Sequence, residues 1–357
     1  MGYRVDFDKM NDILAAWSEV YHVFAPAWDQ RKKKVRYREI RNIDQIVLDR
    51  QADFSLKEAY YPVSQTMFYF TDTEVTESEL ADDKGILIFA RPCDINGMAR
   101  LDCIFMENGG HADYFYARLR EKVKVVMLEC RESFEHCFCV SMGTNKTDKY
   151  DAAVRITEHE VLAEVRDEKL GAAFSFVSAS SCDFTPEFVQ ENQKKLHIPK
   201  ITDRSMLKPI SDLEYWNQFD EKCMSCGGCN TVCGTCSCFD TVDVIYQEGS
   251  RSGERRRVWS SCMLETFTQT AGGGRARKTP GANMRFKVLH KFYDFADRFV
   301  KDGSHGIACD AQMCIGCGRC DMRCPKKISF FDAVDGLAAE IEKNEYRRGG
   351  VEQWKIL

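Results

Sequence analysis

Cys223-Met224-Ser225-Cys226-Gly227-Gly228-Cys229-Asn230-Thr231-Val232-Cys233 and Cys314-Ile315-Gly316-Cys317-Gly318-Arg319-Cys320-Asp321-Met322-Arg323-Cys324-Pro325 share one spacing, C-x2-C-x2-C-x3-C. Carried twice, that spacing is the ligand pattern of two [4Fe-4S] clusters. A tight loop aims three thiolates at three irons of one cubane. The small Gly227, Gly228, Gly316 and Gly318 let its amides approach the sulfides. The fourth cysteine is expected to begin a helix leading away and to serve the other cluster. The spacing therefore predicts cluster one on Cys223, Cys226, Cys229 and Cys324, and cluster two on Cys314, Cys317, Cys320 and Cys233. Zinc is the competing reading of a C-x2-C pair, but it takes four ligands from two pairs, whereas each run here offers a third and a fourth cysteine. Cys233 is followed by Gly234, where Cys324 is followed by Pro325; a proline there shapes the exit turn and binds no iron.

The rest of the chain agrees with a metal reading of these thiols. Of 357 residues 18 are cysteine, too few for a small disulfide scaffold and too clustered for ordinary usage. Five lie between Cys93 and Cys139, seven between Cys223 and Cys262, and five between Cys309 and Cys324. Fifty basic against 55 acidic residues give a net charge of -5, which argues against general nucleic-acid binding. No apolar run approaches a membrane span, and Met1-Gly2-Tyr3-Arg4-Val5-Asp6 has no hydrophobic signal core, so a soluble, cytoplasmic protein is expected.

Two textures divide the sequence. Residues 1–210 read as an α+β or α/β domain. Gly85–Ala90 and Val123–Leu128 are strand-length apolar runs, with a turn at Asn108-Gly109-Gly110 and a helix-compatible stretch from Ala112 to Lys122 between them. Phe174–Val177 is a weaker strand candidate, and Glu187–Lys195 is helix-compatible. Residues 211–357 read as a ferredoxin-like domain with two [4Fe-4S] clusters, its runs split by a long helical insertion, 234–313. Val288, Leu289, Phe292, Phe295, Phe299 and Val300 recur at three-to-four spacing, which predicts an amphipathic helix between Met284 and Val300 packed on a core. Ala271-Gly272-Gly273-Gly274 is a loop without phosphate-cradling spacing.

The remaining cysteines divide by position. Cys93 and Cys130 each follow a strand, and parallel neighbouring strands would bring both loops to one sheet edge. With Cys137 and Cys139 they make four thiols for a possible third [4Fe-4S] cluster; buried structural cysteines are the alternative. Cys236, Cys238 and Cys262 form a trio short of a fourth thiol, while Cys103, Cys182 and Cys309 have no partner at useful spacing and read as structural. Arg251, Arg255, Arg256, Arg257, Arg275 and Arg277 make a basic stretch, read first as a solvated face and otherwise as a dock for an acidic partner. No catalytic residue is assigned: the sequence holds no dinucleotide fingerprint, no Ser/His/Asp arrangement and no haem-attachment motif.

The order of motifs after the first run resembles the iron–sulfur electron-transfer subunit of anaerobic sulfite reductase. It is carried by Thr235-Cys236-Ser237-Cys238-Phe239, Trp259-Ser260-Ser261-Cys262, Gly272-Gly273 and His290-Lys291-Phe292, and in the N-terminal half by Arg91-Pro92-Cys93-Asp94 and Cys137-Phe138-Cys139-Val140-Ser141-Met142-Gly143. The β subunit of soluble sulfhydrogenases is similar in the same places. The first resemblance implies an electron carrier, itself non-catalytic, between a flavoprotein subunit that oxidises NADH and a sirohaem subunit that reduces sulfite to sulfide. The second implies the corresponding subunit of a hydrogenase or another NAD(P)H-linked complex.

Overall fold

The computed structural model describes residues 1–300 and 307–353, with side chains up to residue 344. Residues 301–306 of the expected insertion and 354–357 of the expected C-terminal domain lie outside the described residues.

The strands in chain order are β1 (Gly2–Asp6), β2 (Tyr21–Asp29), β3 (Lys34–Glu39), β4 (Ser64–Phe70), β5 (Val75–Glu77) and β6 (Gly85–Ala90). There follow β7 (Val123–Leu128), β8 (Ala152–Ile156), β9 (Glu160–Val165), β10 (Ser180–Ser181), β11 (Phe239–Ile245) and β12 (Gly253–Trp259). Eight of them form one sheet in the order β10-β1-β9-β8-β7-β6-β2-β3. Its centre, β2-β6-β7-β8, is parallel, and both flanks are antiparallel. The mixed α/β reading of the N-terminal region describes this architecture.

Parallel strands are buried on both faces, and the two predicted runs show how. Leu87, Phe89, Val126 and Leu128 face one core with helix Met10–Val20 and its Trp17. Ile86, Ile88, Ala90, Val125 and Met127 face the other with helix Pro92–Phe105. Alternation of side chains along each strand divides the residues this way. The crossover from β6 to β7 passes through helices Pro92–Phe105 and Tyr114–Arg120, the second lying within the predicted Ala112–Lys122.

Two local expectations are corrected. Phe174–Val177 is no strand: Phe174 and Phe176 end helix Glu168–Phe176. Asp167 caps that helix by accepting from the Leu170 amide at 3.0 Å, and Leu170, Ala173 and Phe174 bury its inner side. A terminal cap and three-to-four spacing outweigh the local alternation. Glu187–Lys195 forms no helix either. Its polar groups tie down a neighbouring loop instead: the Val189 amide donates to the Cys130 carbonyl at 2.7 Å, and Asn192 Oδ1 accepts from the Val140 amide at 2.7 Å.

The second sheet, β11-β12-β4-β5, joins strands from both sides of residue 210. The insertion, expected to be helical, instead opens with a hairpin that pairs with β4. Arg257 on β12 is 2 % exposed and reaches both oxygens of Asp113, at 2.8 and 2.9 Å. Asp113 is also the cap of helix Tyr114–Arg120, accepting from the Tyr116 amide at 2.8 Å. The predicted amphipathic helix follows, starting earlier than expected. Thr279 caps Pro280–Leu289, and a π turn at His290–Asp294 leads into Phe295–Phe299. Val288 and Phe295 are fully buried, each worth about 1.5–3 kcal/mol over exposure.

Candidate metal centres

Two cysteine loops of the same backbone shape face each other. Ser225 and Gly227 in the first run have φ of 52° and 72°; Gly316 and Gly318 in the second have 64° and 71°. The left-handed conformation is routine for glycine and costs another residue about 1–2 kcal/mol, so Ser225 marks a shape the first loop must hold. Gly227 and Gly318 then lead into the short helices Gly228–Thr231 and Arg319–Arg323, which pack together. The fourth cysteines, Cys233 and Cys324, follow these helices instead of beginning new ones, which corrects the expectation. A one-turn helix suffices to swing the fourth thiol away from its own loop.

Cys324 reaches the other run. Cys223, Cys226, Cys229 and Cys324 line one cavity, together with Met263, Met284, Lys287, Phe330 and the neighbouring Cys320. Cys226 is exposed at its mouth. In the opposite direction Cys233 interacts with Cys314 and Cys317 of the second run. Backbone amides donate to sulfur in both runs, from Ser225 to Cys223 Sγ (3.5 Å), from Gly316 to Cys314 Sγ (3.5 Å) and from Ile328 to Cys324 Sγ (3.3 Å). Among the described residues no three His, Cys, Asp or Glu side chains converge on a point that could hold a single metal ion. Thiolates on separate irons of a cubane stand further apart than ligands of one ion. Cysteines lining one cavity, amide donors to sulfur and the absence of a side chain at the crowded glycines fit such a group.

Three buried lysines, not singled out as site residues in the sequence, surround these thiols. Lys57, Lys287 and Lys291 are 2 %, 2 % and 3 % exposed. Lys57 Nζ donates to the Cys236 carbonyl at 2.8 Å and lies 3.9 Å from the centre of the Trp259 ring. Lys291 Nζ donates to Cys233 Sγ at 3.4 Å and to Thr235 Oγ1 at 3.0 Å. Burial opposes the charge of Lys287, but Cys229 and Cys320 outweigh it and raise its pKa well above the ordinary value. Burial pushes the Cys314 thiol up to about 12, with Lys291 pulling against it. Cys233 is held well below the usual thiol range, first by a hydrogen bond with Cys236 and then, against its burial, by Lys291.

The N-terminal thiols approach the same place. Parallel pairing of β6 and β7 puts Cys93, in the first turn of helix Pro92–Phe105, and Cys130 at one edge of the sheet. Cys93 interacts with Cys139 and Cys317, and Cys137 with Cys139, Cys317 and Cys130. Burial is the main cause that raises the Cys93 thiol and pushes Cys137 up to about 12 and Cys139 up to about 11. Asn192 Nδ2 lies 3.6 Å from Cys139 Sγ. The loop holding Cys137 and Cys139 is docked on the second cysteine run: the Phe138 amide donates to the Gly316 carbonyl at 2.8 Å, and Thr144 Oγ1 to the Ile315 carbonyl at 2.7 Å. A Cβ on Gly316 would stand 2.6 Å from the Phe138 carbonyl, and one on Gly318 2.2 Å from that of His136.

Of the other expected features, Cys236 and Cys262 are buried beside the first run, with Asn230 Nδ2 donating to Cys262 Sγ at 3.1 Å. Cys238 interacts with Cys262. Cys103 is buried, Cys182 half-buried and Cys309 exposed. The arginines do not form one solvated face. Arg255 pairs with Asp243, Arg256 with Glu254, Arg257 with Asp113 and Arg275 with Glu265, while Arg277 bonds Asn283 and covers the Phe286 ring. Arg251 alone of the six is strongly exposed, at 84 %. Among the described residues no helix is long and apolar enough to cross a membrane.

Comparison with known proteins bears on the same region. Residues 222–328 match the family described as "4Fe-4S dicluster domain", a span that begins one residue before Cys223 and ends four after Cys324. Along most of its length the chain is similar to Sulfhydrogenase 2 subunit beta of Pyrococcus furiosus, 28 % identical over 335 residues, covering 89 % of this chain and 92 % of the relative. The C-terminal region is thus a 4Fe-4S dicluster region on a mixed α/β protein, and the likeness extends through both parts.

Proposed function

We propose that this chain is an iron–sulfur electron-transfer subunit of a multi-subunit redox complex, of the kind to which its sulfhydrogenase relative belongs. The observation that carries the reading is the place of Cys324, from the second run, in the wall of the cavity lined by Cys223, Cys226 and Cys229 of the first. Cys223, Cys226, Cys229 and Cys324 would hold one cubane and Cys314, Cys317, Cys320 and Cys233 another; each cubane takes up and releases one electron at a time. Exposed Cys226 and Met224 open the first set toward a partner surface. Cys317, beside Cys93 and Cys137, leads from the second set toward the α/β sheet. Cys93, Cys130, Cys137 and Cys139 would hold a third cubane there.

A second reading, the corresponding subunit of an anaerobic sulfite reductase, rests on the motif order from Thr235 to Phe292. Its partners would be an NADH-oxidising flavoprotein and a sirohaem subunit. Anaerobic purification of the native complex through a tag on this chain separates the two. Reduction of the iron–sulfur absorbance by hydrogen supports the hydrogenase-type complex. Oxidation of the prereduced complex by sulfite supports the other. The chain purified free of partners should do neither, and sulfite-dependent NADH oxidation by the isolated chain overturns both.

A further inference from the structure

Lys287 and Lys291 present an unusual balance of charge. They stand four residues apart on the helical run that begins at Pro280, both almost fully buried. An isolated ammonium is expensive to bury and is ordinarily paired with a carboxylate. Among the described residues neither has one. Lys287 lies over the Phe330 ring at 4.4 Å and lines the same cavity as Cys229, of the first set, and Cys320, of the second, interacting with both. Lys291 points at Cys233 Sγ of the second set and is braced by Thr235. The partners that remain for both charges are sulfur ligands.

We propose that Lys287 and Lys291 are charge-positioning residues that raise the reduction potentials of the two cubanes, Lys287 acting on both and Lys291 on the one held by Cys233, Cys314, Cys317 and Cys320. The inference rests on the two-cluster reading above. Each reduction adds one negative charge to an anionic group, and a fixed positive charge in a poorly solvated site favours that step. Net charge and hydrogen bonds to sulfur are the protein's means of setting such potentials. Lys287, acting on both, leaves the difference between the two potentials unchanged, whereas Lys291, acting on one, sets that difference.

The test uses the full chain, reconstituted anaerobically with iron and sulfide, and follows each cluster's signal in a potentiometric titration monitored by electron paramagnetic resonance. Lys287→Met should lower the reduction equilibrium constant of both clusters at least tenfold, a shift of about 59 mV for one electron. Lys291→Met should lower mainly that of the second. Unchanged midpoints at full iron content overturn the proposal. Should the methionine variants not load iron, Lys287→Arg and Lys291→Arg decide: loading with reduction equilibrium constants within twofold of the parent supports a role for charge, and failure to load with the charge retained assigns the lysines to packing. Failure of the two-cluster reading itself is seen separately, as a parent chain that binds no iron.

Discussion

Arg319 Nη1 and Nη2 meet Asp94 Oδ1 and Oδ2 at 2.5 and 2.7 Å, in a pair whose side chains are each 1 % exposed. Asp94 belongs to the first turn of the helix after β6, and Arg319 lies between Cys317 and Cys320. Tyr37 donates to the same carboxylate at 3.0 Å, and Arg319 Nε to the Ala52 carbonyl at 2.9 Å. One buried network therefore clamps the second cysteine loop to the α/β sheet.

Removing one member of that pair leaves an uncompensated charge in the interior, which costs about 3–5 kcal/mol. Arg319→Met is expected to lose that much in denaturant unfolding of the reconstituted chain. Tyr37→Phe, which removes one neutral donor to a charged acceptor, should lose about 1.5–3 kcal/mol at most. Equal stability of Arg319→Met and the parent would show that the clamp does not hold the loop.

Gly318 tests the same junction through its backbone. Its φ of 71°, and the His136 carbonyl only 2.2 Å from where a Cβ would stand, leave alanine no strain-free position. Gly318→Ala should cost at least about 1–3 kcal/mol. It should also raise hydrogen exchange at the Phe138 amide, which is bonded across the junction to Gly316. Gly110→Ala, with φ of 80° but open space around it, is the control that carries the conformational cost without the clash.

The proposed exchange of fourth ligands predicts which cluster each substitution harms. Cys324→Ser should damage the cluster of Cys223, Cys226 and Cys229, and Cys233→Ser that of Cys314, Cys317 and Cys320. Electron paramagnetic resonance of the two variants checks this, and the reverse pattern would mean that each run serves its own cluster.

A third cluster on Cys93, Cys130, Cys137 and Cys139 predicts that Cys137→Ser with Cys139→Ser removes about four irons per chain, the content of one cubane. An unchanged iron count in a normally folded variant would reject it, and would leave these thiols as the packing of the loop docked on Gly316.

Local chemistry made part of this protein legible. The paired C-x2-C-x2-C-x3-C runs announce clusters because a cubane needs thiols at short, fixed spacing. Gly85–Ala90 and Val123–Leu128 read as strands because a chain buried on both faces must be apolar throughout. Tertiary structure decided what depends on distant residues. Phe174 is helical because Asp167 caps its segment and Trp17 packs against it, and β12 pairs with β4 across a long separation in sequence. Lys287 and Lys291 sit on what reads as a core helix, and spacing alone marks them as residues beside its apolar stripe. Only the packing of that helix against two cysteine loops turns two ammoniums inward, because the cysteine sulfurs beside them come from elsewhere in the chain.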